Sequence, residues 1–170
     1  MTHILIVAES RSGNGLPDVI RDAGFDVATA ASLQEGLERS AATPTPILII
    51  TDRTLPDGSG LDLCREIRSR HPMYRMPVIV RTDGGRGADV LDGLVAGASG
   101  YMAKELLPEE TIARVQQVLT TEQSASESTV LREEEEIQIR FMDRDYRLHA
   151  SLQQLVNVLG SSLEDLARTS

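Results

Sequence analysis

The chain reads as a series of short apolar runs, each ending in polar or turn-forming residues and each separated from the next by a stretch with helical spacing. His3-Ile-Leu-Ile-Val-Ala8 is the first, stopping at Glu9-Ser10 before a polar loop from Arg11 to Gly15. Leu16, Val19, Ile20 and Ala23 then recur at i, i+3, i+4, i+7, with Pro17 suited to a first helical turn and Gly24 to a stop. Phe25-Asp-Val-Ala-Thr29 predicts a second strand. Ser32 caps a second helix with Leu33, Leu37 and Ala41 as its apolar positions, and Thr43-Pro-Thr-Pro46 breaks it. Ile47-Leu-Ile-Ile-Thr-Asp52 is a buried strand that ends abruptly in a carboxylate, followed by a turn rich in Pro and Gly. Gly60 to Arg70 is a helix turning Leu61, Cys64 and Ile67 inward. Pro77-Val-Ile-Val80 is the fourth strand, running out into Arg81-Thr82-Asp83 and the loop Gly84-Gly-Arg-Gly87. A fourth helix passes through Val90, Leu91, Leu94 and Val95 to Gly97. Gly100-Tyr-Met-Ala103 is the fifth strand, ending at Lys104, and Pro108 opens a fifth helix with Ile112, Val115 and Leu119 on one face. Five strands alternating with five helices predict an α/β fold with a doubly wound parallel sheet.

The pattern changes after Leu119, so residues 1–120 are expected to form the main domain. Thr120 to Ser128 is rich in Ser, Thr, Glu and Gln, and Glu133 to Glu136 is an acidic run, so 121–136 reads as a solvated linker. Residues 137–170 predict a β-hairpin plus an amphipathic helix. Ile137, Ile139 and Phe141 alternate with polar residues, as do Tyr146 and Leu148. An Asp143-Arg144 turn would pair Phe141 with Tyr146 and Ile139 with Leu148, a four-residue loop being the alternative. Ser151 caps a last helix in which Leu152, Val156, Leu159, Leu163 and Leu166 keep a heptad rhythm. Homodimerisation through that face and packing on the hairpin of the same chain are equal alternatives.

Composition narrows the function classes. The 170 residues carry a formal net charge of -9, which repels phosphate backbones and anionic lipid and sets aside nucleic acid and direct membrane contact as partners. No apolar run approaches the roughly 18 residues that span a bilayer, and Met1-Thr-His-Ile lacks a basic leader, so a cytoplasmic location is expected. Cys64 is the single cysteine and sits at an apolar helix position, which favours core packing over a nucleophile. His3, His71 and His149 lie far apart in sequence with no ligand spacing, and no independent enzyme activity is expected.

A parallel sheet brings four strand ends to one edge and with them Glu9, Asp52, Thr82 and Lys104. Two carboxylates, a hydroxyl and an ammonium form a site for a hard cation and an anionic group. The first 120 or so residues resemble the receiver domain of two-component response regulators. Asp52 with Pro56 and Gly60 matches the phosphoacceptor motif, Val78-Ile-Val-Arg-Thr82 the switch strand, and Gly97-Ala-Ser-Gly-Tyr101-Met-Ala-Lys104 the final-strand motif. The resemblance implies a sheet of order 2-1-3-4-5 and phosphoryl transfer to Asp52 from a histidine kinase or phosphotransfer protein. It also implies Mg²⁺ held by Glu9, Asp52 and the Thr54 backbone carbonyl, pairing of Lys104 with the phosphoryl group, and a switch through Thr82 and Tyr101. The signal would leave through the face made by the fourth helix, fifth strand and fifth helix, and through the C-terminal helix.

The chain departs from that pattern in three places. Ala8-Glu9 stands where two adjacent acids are usual, which weakens the expected Mg²⁺ binding; Asp83 follows the switch Thr where a small residue is usual; and Glu105 follows Lys104 where Pro is usual. Asp83 is therefore a candidate modulator, by repelling the phosphoryl group or by standing in for the missing acid. The main alternative is a pseudo-receiver that binds partners without phosphorylation. A remoter one is a flavodoxin-type FMN carrier, from the loop Ser10-Arg-Ser-Gly-Asn14-Gly15, although the loops Asp52 to Ser59 and Asp83 to Arg86 lack an aromatic residue to stack on a flavin. Hairpin-plus-helix tails resembling this one follow receivers in hybrid signalling proteins, so the chain is also expected to be part of a longer protein.

Overall fold

The computed structural model describes residues 3–9, 15–71, 76–83, 92–93, 95–127, 135–141 and 144–150, with side chains up to residue 120. Five parallel strands form the sheet: β1 (His3–Val7), β2 (Asp26–Ala30), β3 (Leu48–Asp52), β6 (Val78–Thr82) and β7 (Gly100–Ala103). Their spatial order is β2-β1-β3-β6-β7, which is the expected 2-1-3-4-5. The helices α1 (Leu16–Asp22), α2 (Leu33–Ser40), α3 (Gly60–Arg70) and α4 (Pro108–Glu127) supply the crossovers. Of the expected fourth helix, residues 92–93 and 95–96 are helical before Gly97 turns the chain at a φ of 91°.

Strand alternation divides the core into two layers. On one side of the sheet Val7, Ile49, Val78, Val80 and Tyr101 pack with Leu61, Leu63, Cys64 and Ile67 of α3. On the other Ile4, Ile6, Leu48, Ile50, Ile79 and Met102 pack with Leu16 and Ile20 of α1 and Val115 and Val118 of α4. Both layers are dry, with Ile4, Leu5, Ile49, Ile50, Leu63 and Ile79 wholly inaccessible. Cys64 belongs to the first layer, and burial pushes its thiol up to about 12, so it is a packing residue and a poor nucleophile.

The turn after Asp52 is more ordered than its Pro and Gly content predicts. Thr54–Leu55 (β4) and Gly58–Ser59 (β5) form a small antiparallel ladder closed by Pro56-Asp57, because Pro sets the φ that a two-residue turn needs. Ser59 Oγ then accepts from the Leu61 and Asp62 amides and caps α3. The Asp57 carboxylate reaches across to the start of α2, accepting from the Leu33 amide at 2.6 Å and the Gln34 amide at 3.0 Å. These two bonds hold the Asp57 pKa below its ordinary value. Ser32 Oγ accepts from the Glu35 amide at the same helix end, as the sequence predicts.

Two boundaries differ from expectation. Helix α4 continues to Glu127, through the first part of the stretch read as a linker, because Thr120 to Glu127 lacks Gly and Pro and nothing stops the helix. In the hairpin β8 (Glu135–Phe141) and β9 (Arg144–Ala150), Ile139 lies opposite Tyr146 and Ile137 opposite Leu148, rather than Phe141 opposite Tyr146 and Ile139 opposite Leu148. The slide of two residues keeps the same face and sets Arg140 opposite Asp145, where the expected register would set it opposite Arg147. The helix expected from Ser151 lies outside the described residues.

Two predictions follow from the turn. At Gly60 an added Cβ would overlap the Asp52 carbonyl oxygen and lie 2.9 Å from Thr51 Cγ2. Gly60→Ala is expected to cost about 1–3 kcal/mol in urea unfolding, as overpacking against fixed backbone does. The lowered Asp57 pKa means that its charged bonds stabilise the fold above its unfolded-state pKa, and that this is lost as pH falls through the folded value. The stability gap between wild type and Asp57→Asn, followed by urea midpoints, should therefore shrink on going from neutral pH to about pH 2.

Candidate functional site

Asp52 is the last residue of β3 and is 1% exposed. Leu48 and Ile50 face α1 and α4, so alternation sends the Asp52 side chain to that same side at the sheet edge. Arg81 follows Ile79 by two residues in the next strand and takes the same side, and the register sets Arg81 directly opposite Asp52. The outcome is a buried ion pair, Arg81 Nε to Asp52 Oδ1 at 3.1 Å, with both side chains under 5% exposed. This Nε–Oδ1 contact itself lacks the alignment of a hydrogen bond. Lys104, two residues beyond Met102, also lies on this side; its Nζ is 3.5 Å from Asp52 Oδ2 and 3.2 Å from Asp83 Oδ2.

One buried carboxylate thus stands between a guanidinium and an ammonium, with Asp83 at the rim, 77% exposed. The formal charges of Asp52, Asp83, Arg81 and Lys104 cancel. Burial pushes the Arg81 pKa down, and the carboxylates of Asp52, Asp83 and Glu105 oppose that shift. An arginine stays protonated under such pressure, so the pair is ionic. A recess lined by Leu16, Arg81, Met102, Lys104 and Thr111 opens beside it between α1 and α4.

Thr82 is buried at the end of β6 on the opposite side of the sheet, where Val78 and Val80 also point. Its carbonyl accepts from the Lys104 amide at 2.9 Å, which ties β6 to the lysine. Tyr101 shares that side and is 4% exposed. Its ring lies against Gly93, where an added Cβ would come within 3.0 Å and 3.2 Å of ring carbons. Its hydroxyl accepts from Arg53 Nη1 at 3.2 Å, and Arg53 Nη2 lies 3.4 Å from Asp92 Oδ2. The tyrosine is therefore already turned inward and tied to the residue after Asp52.

Glu9 stands exposed past the end of β1, and Thr54 lies in the β4–β5 ladder. Among the described residues no three His, Cys, Asp or Glu side chains gather where they could hold a metal. The donor set around Asp52 does not fit Mg²⁺. That ion demands near-ideal octahedral oxygen ligation at about 2.0–2.1 Å. Here both Asp52 oxygens face cations and Ala8 offers no ligand.

Arg81 and Arg53 are the two site residues that pattern reading did not single out. The signal for Arg81 was present: it is a charge embedded in the apolar strand Val78-Ile-Val-Arg-Thr82, in phase with Ile79. Only the register reveals that its neighbour across the sheet is Asp52.

Comparison with known proteins bears on the whole module. The model of the response regulator receiver domain family matches residues 4–116. The chain is 34% identical over 112 residues to the alkaline phosphatase synthesis transcriptional regulatory protein PhoP of Bacillus subtilis, spanning 66% of this chain and 45% of that protein. It is 32% identical over 145 residues to the phosphate regulon transcriptional regulatory protein PhoB of Rhizobium meliloti, spanning 82% of this chain and 63% of that one. The chain thus spans about half the length of the curated relatives it matches. Among solved structures, the chemotaxis response regulator CheY4 of Vibrio cholerae superposes with a TM-score of 0.64 at 27% identity, over 70% of this chain and 99% of that one. The chain belongs to the response regulator receiver domain family of two-component signalling.

Proposed function

We propose that Asp52 accepts a phosphoryl group from a phosphohistidine on a histidine kinase or phosphotransfer protein. The observation that carries this reading is the Asp52 carboxylate at a parallel strand's carboxyl end with Lys104 Nζ 3.5 Å away. In the transfer a carboxylate oxygen of Asp52 attacks phosphorus, the O–P bond forms as the P–N bond breaks, and the departing imidazole nitrogen takes the electron pair and a proton from water. Lys104 offers a fixed positive charge to the oxygens on which negative charge builds. The Thr82 hydroxyl, on the other side of the sheet, would reach a phosphoryl oxygen only as the end of β6 shifts toward Asp52. Receiver domains as a family are phosphoacceptors rather than free-standing enzymes, act with kinases or phosphotransfer proteins, and bind Mg²⁺ at the phosphorylation site. In this chain Glu9 is exposed and both Asp52 oxygens face cations, so of the expected ligands these two do not suit that ion.

The added phosphoryl carries about −1.5 to −2 charge at neutral pH, against −1 on the free carboxylate. That change pulls Thr82 and Lys104 inward, and Tyr101 with its Arg53 tether reports it to the face made by the helical residues 92–93 and 95–96, β7 and α4. The C-terminal hairpin and helix would pass the signal on, with a homodimer as one arrangement. Among the described residues no helix is long and apolar enough to cross a membrane. A second reading, a phosphorylation-independent interaction module, draws on the burial of Asp52 and its ion pair with Arg81.

Incubation with a small-molecule phosphodonor, with and without Mg²⁺, separates the two. Hydroxylamine-sensitive phosphoryl on wild type and none on Asp52→Asn is the expected result. Absence of label on wild type, under conditions that label an ordinary receiver, would favour the second reading. Asp83→Ala is expected to label faster, because Asp83 shares Lys104 with Asp52 and its removal leaves the ammonium to the phosphoryl group.

A further inference from the structure

We propose that Arg81 is the resident counter-cation of Asp52 and occupies the electrostatic place of a divalent metal, so that the pocket keeps its form and excludes Mg²⁺ at millimolar concentrations. This deepens the reading of Asp52 as the functional carboxylate and rests on it, but the measurement of cation binding needs no phosphodonor.

Three independent features converge on Arg81. It is 3% exposed inside an otherwise apolar strand, a placement that arginine rarely takes without a specific partner. Register and alternation bring it opposite Asp52 on the same side of the sheet, so the contact is dictated by the strands and not by a wandering surface side chain. The acids that would draw a metal are reduced: position 8 is Ala, Glu9 is exposed, and the Asp83 carboxylate is paired with Lys104. A buried carboxylate must be balanced, and here the balance is covalently attached. A divalent ion would have to displace the guanidinium from Asp52 Oδ1 and then sit beside it, two like charges in a site almost closed to water. Conversely, a phosphoryl group on Asp52 would meet two cations already in place. Receiver chemistry would then proceed with Arg81 and Lys104 as its electrophilic groups.

The test is Mn²⁺ titration of the full chain, followed by the electron paramagnetic resonance of the free ion, in wild type, Arg81→Val, and Arg81→Val with Ala8→Asp. Valine keeps the strand propensity of the site. Wild type is expected to leave Mn²⁺ free, while the double variant binds about 10–100-fold more tightly and the single variant falls between. Wild type binding as tightly as the double variant would overturn the proposal. So would a double variant that folds and binds no better than wild type, since Arg81 would then not be what keeps the ion out. Should either variant fail to fold, wild type alone still decides: its urea midpoint is expected to be unmoved by Mg²⁺, and a rise with Mg²⁺ would overturn the proposal, because a ligand that binds the native state must stabilise it. Wild type labelled equally well in chelator and in Mg²⁺ would add support. Absence of label in both would count against the phosphoacceptor reading and leave the cation result standing.

Discussion

A carboxylate inside a protein has to be neutralised by something the fold can hold in position, and the active edge of this domain is arranged around that requirement. Asp52 ends a strand whose other side chains are wholly buried, so it enters a region with little water to solvate it. Moving a carboxylate-sized charge out of water costs several kcal/mol even after relaxation, and only close opposite charge recovers it. Two neighbouring strands each deliver a cation at their carboxyl ends, Arg81 directly opposite and Lys104 one strand further out. The sheet order that puts β3 between β1 and β6 is what makes this convergence available.

The two sides of the sheet divide the labour. The side toward α1 and α4 carries the charges, Asp52, Arg81 and Lys104. The side toward α3 carries Thr82 and Tyr101, the residues whose positions would report a change in charge. Arg53 connects them: its amide donates to the Arg81 carbonyl at 2.7 Å while its guanidinium holds the Tyr101 hydroxyl. The residue after Asp52 therefore touches both the backbone of its counter-ion and the tyrosine on the far side. Arg68 performs a separate structural task nearby, donating to the carbonyls of Gly97 and Met76 at 2.7 Å each and closing the loops that lead into β6 and β7.

Much of this was legible in the sequence because it follows from period and punctuation. The apolar runs at His3–Val7, Leu48–Asp52 and Gly100–Ala103 are bounded by turn residues, and their ends locate Asp52 and Lys104 without tertiary information. Ser32 caps a helix as its position before apolar spacing predicts. What escaped was pairing across strands. Arg81 reads along the chain as the polar exit of a strand, and only the β3–β6 register turns it into the partner of Asp52. The hairpin slid for the same reason: Ile137, Ile139 and Phe141 alternate equally well in either register, and the cross-strand choice between Asp145 and Arg147 opposite Arg140 is invisible to a one-strand pattern. Arg53 was hidden because its role depends on Tyr101, 48 residues away.

The loop between Asp52 and α3 begins and ends at nearly the same point. The Gly60 amide donates to the Arg53 carbonyl at 2.9 Å, and a glycine there lets the first turn of α3 lie against the Asp52 carbonyl. Six residues between are braced by the β4–β5 ladder, and Asp57 moors the tip of the loop to α2. The main chain around Asp52 is thus a closed hoop, pinned at its neck and its crown. Forward along the chain Asp52 is braced at Gly60 and Asp57, while the contacts that leave it sideways run to Arg81 of β6 and to Lys104 after β7. How far the chain after Asp52 can shift is in that sense limited by steric economy at a single glycine.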